Sequence, residues 1–122
     1  DKILKKKMKL KNYYEKKLLE TNKFQLVSSP LYSKNNYWLN IIKFKNINYN
    51  KLTLICKKLQ KKGIETRPIW YLNHLQKPYI KCESYKIDNA TKLQNSCLCL
   101  PSGLSLNNKE LKTVTEEIFN LF

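Results

Sequence analysis

Between Glu65 and Tyr79 the chain reads Glu-Thr-Arg-Pro-Ile-Trp-Tyr-Leu-Asn-His-Leu-Gln-Lys-Pro-Tyr. This run holds the single arginine, the single histidine, one of two tryptophans and two of four prolines. Arg67 presents a planar fork that grips a phosphate or carboxylate through two bonds. His74 can donate to a phosphate or a hydroxyl, and Trp70 and Tyr71 can wall an apolar or sugar-stacking surface. The same residues also suit plainer roles. A lone arginine before proline pairs with a surface acid, a lone histidine makes a structural hydrogen bond, and Trp70 taken in isolation belongs in a core. No catalytic unit is complete: there is no Ser/His/carboxylate set, no Gly-rich phosphate loop with only two glycines, and no metal-ligand cluster.

The four cysteines, Cys56, Cys82, Cys97 and Cys99, follow no zinc spacing, and one Cys-x-Cys pair without a second is a weak signal. On a strand, Cys97 and Cys99 leave the same face and do not readily bridge. The four are expected to be reduced, buried thiols of a cytoplasmic protein. Asn89-Ala90-Thr91 is a formal glycosylation sequon, without meaning unless the chain is secreted.

The elements that position these residues come from 122 residues, 42% of them hydrophobic, which is enough for one domain with a core. Basic residues outnumber acidic ones 24 to 9, a net charge of +15. Nucleic acid or an anionic membrane is the first partner to consider. Yet 23 of the 24 are lysine, whereas nucleic-acid readers lean on the bidentate guanidinium. With 14 asparagines and 10 isoleucines against one alanine, the balance fits an A/T-rich coding bias and a solvated lysine surface. It argues against a nucleic-acid partner, although Lys2 to Lys17 remains a basic segment. No apolar run approaches the roughly 18 residues that cross a bilayer, so no membrane span is expected. The start has neither a signal-peptide core nor an initiator Met, which suggests a segment of a longer chain.

Leu4, Met8, Leu10, Tyr14 and Leu18 recur mostly every four residues and predict an amphipathic helix from Ile3 to Leu19, within an opening unit over residues 1–20. Phe24, Leu26 and Val27 form a short apolar stretch before a Ser-Ser-Pro turn. Tyr37 to Phe44 is aromatic and β-branched and predicts a strand. Asn50 is placed as the cap of a helix carrying Leu52, Ile55, Cys56 and Leu59, closed by a left-handed Gly63. Ile64 to Trp70 is predicted as an extended segment, with Pro68 at a sheet edge or bend. Leu72 to Tyr79 is predicted as a loop with a helical turn, ended by Pro78. A short helix over 89–95 and a strand over 96–100 follow. Last comes a helix capped by Asn107 with Glu110, striped by Leu111, Val114, Ile118 and Leu121. The order is helix, strand, helix, extended segment, helix, strand, helix. It predicts an α+β domain, a small sheet with helices packed on one face, without repeats or an internal boundary.

Gly63-Ile64-Glu65-Thr66-Arg67-Pro68-Ile69-Trp70, followed by His74, Gln76 and Tyr79, resembles a stretch of the DegT/DnrJ/EryC1/StrS sugar aminotransferases. Cys97-Leu98-Cys99-Leu100-Pro101-Ser102 is similar to that family's Leu-Pro-Ser/Thr segment, and the Lys-rich start to the helix leading into its small domain. The resemblance spans essentially all 122 residues. It implies the C-terminal small domain of a fold-type I enzyme that depends on pyridoxal 5'-phosphate (PLP). That enzyme moves an amino group from glutamate to a nucleotide-linked keto sugar, most similarly a 4-keto sugar, in cell-surface glycan biosynthesis. It also implies a cytoplasmic homodimer. The Schiff-base lysine and most cofactor contacts would lie in a large N-terminal domain absent here, so no catalytic or cofactor-binding residue is assigned and the segment alone is expected to be inactive. His74 matches the histidine facing the nucleotide-sugar pocket. Arg67 matches the arginine of the Arg-Pro motif, for anion binding or for shaping that pocket. Gln76 and Tyr79 match the motif, in substrate contact or in support of the loop, and Trp70 stands where relatives vary among aromatics. Two other readings stay open: a stand-alone binding or regulatory module of this fold, and a Lys-rich nucleic-acid-binding domain.

Overall fold

The computed structural model describes residues 1–18 and 20–121. Leu19, placed at the end of the first helix by its sequence pattern, and Phe122 lie outside the described residues. The elements run α1 (Lys2–Leu18), β1 (Phe24–Leu26), β2 (Asn40–Phe44), α2 (Tyr49–Lys61), β3 (Arg67–Pro68), α3 (Asp88–Ser96), β4 (Cys97–Leu100) and α4 (Asn108–Phe119). Two single 3-10 turns, Asn73–Leu75 and Lys77–Tyr79, lie between β3 and α3. The strands form one antiparallel sheet in the order β1-β2-β4-β3.

Strand alternation sorts the sheet into two faces. Asn40, Ile42 and Phe44 of β2 share a side with Leu98 and Leu100 of β4, and all five are buried. Leu10, Tyr14 and Leu18 of α1, Leu52, Ile55 and Leu59 of α2, and Leu111, Val114 and Ile118 of α4 join the same cluster. Three helices thus cover one face, the α+β layering expected of these patterns. Phe24 of β1 packs edge-on to Phe44, ring centroids 5.7 Å apart. The first two turns of α1 run past this core and leave Ile3, Leu4 and Met8 exposed.

Several boundaries differ from expectation, each for a local reason. β1 is a true strand, paired with β2 from Phe24↔Phe44 to Leu26↔Ile42, where only an apolar stretch was expected. β2 begins at Asn40 rather than Tyr37. Tyr37 has a φ of 53°, and the side chains of Asn35 and Asn36 accept from the Tyr37 and Trp38 amides, a local turn that outcompetes the strand. The cap of α2 is Asn48 rather than Asn50, because the Asn48 backbone is extended and its Oδ1 accepts from Lys51 N at 3.0 Å. Gly63 has the expected left-handed φ of 75°. Of the extended segment 64–70 only Arg67 and Pro68 pair as a strand, and Pro68 sits on the sheet edge. Pro78 lies inside the second 3-10 turn instead of ending the loop. Asn107 and Glu110 form a reciprocal capping box.

The cysteines are all free, but they are not uniformly buried. Cys97 is buried, Cys56 and Cys99 are half-buried, and Cys82 is exposed in the loop before α3. Burial pushes the Cys97 thiol above its ordinary range, with the Ser96 hydroxyl and Lys43 acting weakly against it. Burial likewise raises the Cys56 and Cys99 thiols. A thiol must ionise to attack an alkylating reagent. Native-state alkylation at neutral pH is therefore expected to modify Cys82 first and to leave Cys97 untouched until the protein unfolds. Peptide mapping by mass spectrometry reads the order, and early modification of Cys97 would contradict its packing.

Candidate functional site

The residues singled out by type fall into two neighbouring recesses rather than one. After β3 the chain passes Ile69, whose amide donates to the Cys97 carbonyl, and enters the two 3-10 turns. There Ile69, Trp70, Tyr71, Asn73 and His74 face Ala90 and Leu93 of α3 across an open recess of about 430 Å³. His74 is half-buried in the first turn. Gln76 holds that loop together: its Nε2 donates to the Tyr71 carbonyl at 3.3 Å and to Asn73 Oδ1 at 3.0 Å. Tyr79 is exposed beyond it, tied to the loop by its amide on the Gln76 carbonyl.

Trp70 is 62% exposed, so it does not belong to the core that a tryptophan in isolation suggests. Its neighbour is the chain's other tryptophan, Trp38, 65% exposed, with ring centroids 6.1 Å apart and an interplanar angle of 37°. Trp38 precedes Asn40, which pairs with Leu100, and Trp70 follows Pro68, which pairs with Leu98. The two indoles therefore reach toward each other from opposite ends of the sheet. Two exposed, mutually tilted indoles offer aromatic faces of the kind that suit a sugar ring or a base. Trp38 was not among the residues expected here. Its place in a run of turn residues, Asn35-Asn36-Tyr37-Trp38, is the signal that it leaves the strand.

Arg67 lines a separate cavity of about 320 Å³, between the β3 edge and the segment from Pro101 to Leu106. Its Nε and Nη2 donate to Glu65 Oε1 at 3.1 and 2.5 Å. Thr66, between them, is buried, and its Oγ1 has no hydrogen-bond partner of good geometry beside the Cys56 thiol. The far wall is tied by hydrogen bonds. Ser102 Oγ accepts from the Asn40 amide and from Asn40 Nδ2, at 2.9 and 3.1 Å, and donates to the Leu100 carbonyl at 2.9 Å. Lys7 of α1 donates to the Ser102 carbonyl at 2.5 Å and the Trp38 carbonyl at 3.1 Å, and the Tyr14 hydroxyl donates to the Pro101 carbonyl at 2.9 Å. Burial, with Tyr13 nearby, pushes the Tyr14 hydroxyl far above the ordinary phenol range, so it stays a donor.

These groups can bind and orient, and they do not make a PLP site by themselves. An aldehyde cofactor of that kind needs a lysine and a carboxylate converging on one pocket. Neither recess combines a lysine with a carboxylate. No helix among the described residues is long and apolar enough to cross a membrane.

Comparison with solved structures places this architecture. Helicobacter pylori PseC, an aminotransferase involved in the biosynthesis of pseudoaminic acid, superposes with a TM-score of 0.84 at 17% identity, over 98% of this chain and 32% of its own. The putative sugar aminotransferase Spr1654 of Streptococcus pneumoniae, in its PMP form, gives 0.85 at 15% identity, over 98% and 31%. DesI, determined in the presence of its TDP-sugar product, gives 0.82 at 16% identity, over 96% and 30%. The chain thus spans about a third of the length of the structures it matches. At these identities the likeness establishes the fold, a small α+β unit found within larger aminotransferases. The sequence itself matches the DegT/DnrJ/EryC1/StrS aminotransferase family over residues 1–119, and the chain belongs to that family.

Proposed function

We propose that the chain is the C-terminal small domain of a PLP-dependent aminotransferase that passes an amino group from glutamate to a nucleotide-linked 4-keto sugar. The family match over residues 1–119, within structures about three times as long, carries this reading. The TDP-sugar product seen with DesI supports a nucleotide-linked substrate. The cofactor supplies the electron sink when bound, and a large domain outside this chain holds it. The whole enzyme is a cytoplasmic homodimer with its sites at the subunit interface, serving cell-surface glycan synthesis. Exposed Trp38, Trp70, Tyr71 and Ile80 support such apolar contact with substrate or with the rest of the enzyme.

Within this chain His74 donates to a phosphate or hydroxyl of the substrate, and Trp70 packs against its sugar or base. Arg67 meets an oxyanion from the adjoining cavity. Gln76 fixes the loop that presents His74, and Tyr79 closes its rim. A hydrogen bond to a charged group contributes about 1.5–3 kcal/mol, so His74→Ala in the full-length enzyme is expected to lower kcat/KM for the nucleotide sugar about 10- to 100-fold. His74→Gln, which keeps a donor, recovers part of the loss. Unchanged kcat/KM would remove His74 from the site, and no sugar amine from the full-length protein with PLP, glutamate and a nucleotide-linked 4-keto sugar would overturn the activity.

A further inference from the structure

The guanidinium of Arg67 is already engaged, and on the edge that matters. Nε and Nη2 form the side of the guanidinium that grips an oxyanion through two parallel bonds. Both donate to the same oxygen, Oε1 of Glu65. The backbone builds this contact in. Burial alternates along Ile64-Glu65-Thr66-Arg67, so the exposed Glu65 and Arg67 side chains leave on one side, while buried Thr66 points to the other. Among the residues lining the 320 Å³ cavity, Arg67 is the sole cation and Glu65 the sole anion. Both side chains are largely exposed, 78% and 74%, so a dissolved oxyanion can reach the pair.

We propose that Glu65 is an intramolecular competitor for the oxyanion that Arg67 binds, holding the two-donor edge until a ligand displaces it. This rests on the reading of Arg67 as an anion-binding residue. The ligand presents a phosphoryl or carboxylate group, chemistry shared by a nucleotide sugar and by an amino-acid donor. Because exposed ion pairs are weak, Glu65 yields readily. Its effect is a modest, constant attenuation of affinity together with an Arg67 side chain kept in place when no ligand is bound.

The chain has one arginine, so its Nε–Hε signal in a ¹⁵N–¹H spectrum is unambiguous. The 122-residue chain, Glu65→Gln and Glu83→Gln are titrated with inorganic phosphate, and separately with acetate, at constant ionic strength. Glu83 is exposed and outside the cavity, so its variant removes the same charge without touching Arg67. Glu65→Gln is expected to move the Arg67 signal before any ligand is added and to tighten phosphate binding about two- to fivefold, with Glu83→Gln unchanged. A tighter response to phosphate points to a phosphoryl group and a tighter response to acetate to a carboxylate, and either supports the competition. Equal affinities in all three proteins, or an equal gain in both variants, overturn the role of Glu65 alone. No response of the Arg67 signal to either anion, in wild type or Glu65→Gln, overturns the anion-binding reading of Arg67 itself.

Discussion

Leu98→Ala is expected to destabilise the domain by about 3–5 kcal/mol, the upper part of the range for a fully buried leucine. Leu98 has no exposed surface. It sits on β4, the strand with a partner on both sides, opposite Ile42 on β2 and Pro68 on β3. Its side chain points at the cluster shared by α1, α2 and α4, so no single neighbour can swing in to fill the space. Domains of this size hold about 5–15 kcal/mol in all, and the loss corresponds to a fall in Tm of about 10–20 °C. Cys99→Ala, one residue on and facing the other way, is the control and is expected to cost far less. Thermal unfolding followed by circular dichroism measures both. A cost for Leu98→Ala below about 1 kcal/mol would mean that the helices do not close over the sheet as described.

Ser102→Ala is expected to cost about 2–4 kcal/mol although it removes a single oxygen. A hydroxyl has one donor and two acceptor sites, and Ser102 uses all three. Alanine leaves the Asn40 amide and Asn40 Nδ2 without their partner, in a residue 2% exposed. Each orphaned buried donor costs about 1–3 kcal/mol, more than the bond itself contributes. Ser102→Thr retains the hydroxyl and is expected to recover much of the loss where the added methyl fits, and Tyr14→Phe, which removes only the anchor on Pro101, to cost about 1 kcal/mol. Chemical denaturation of the three variants gives the ranking. A Ser102→Ala variant as stable as Tyr14→Phe would show that water, not Ser102, satisfies Asn40.

Where one pattern governs a segment, the sequence makes the structure legible. The stripes of α2 and α4 name most of their buried residues, although Cys56 is only half-buried, Leu121 lies beyond the end of α4 and buried Thr115 falls outside the stripe. Asn107 and Glu110 identify their own capping box, and Gly63 marks a left-handed turn. Legibility fails where two local signals compete. Asn48 and Asn50 are equally good caps by type, and only the extended backbone at Asn48 decides between them. Tyr37 and Trp38 have strand-forming side chains, but the asparagines before them capture their amides. β1 is too short to show alternation and exists because β2 offers it a partner.

The candidate site follows the same rule. The motif from Glu65 to Tyr79 marks the loop but not its division into two recesses, because Arg67 leaves the chain at the sheet edge and His74 only within the first 3-10 turn. Glu65 is legible in retrospect from its two-residue spacing to Arg67, with buried Thr66 between them. The pairing of Trp38 with Trp70 is not, since it links segments 32 positions apart that meet only through the sheet register.

Both outer strands of the sheet are very short: β1 has three residues, and β3 has two, one of them a proline without an N–H. An intruding strand needs a run of free backbone donors and acceptors to template on, and neither margin offers one. Exposed Lys23, next to Phe24 on the outer strand, adds charge where a second sheet would dock. Self-assembly of this unit through its backbone into fibres or swapped sheets is thereby disfavoured. What it offers to other molecules is side chains, the two indoles above all, so its encounters are chosen by shape and chemistry rather than by the indiscriminate adhesion of one sheet for another.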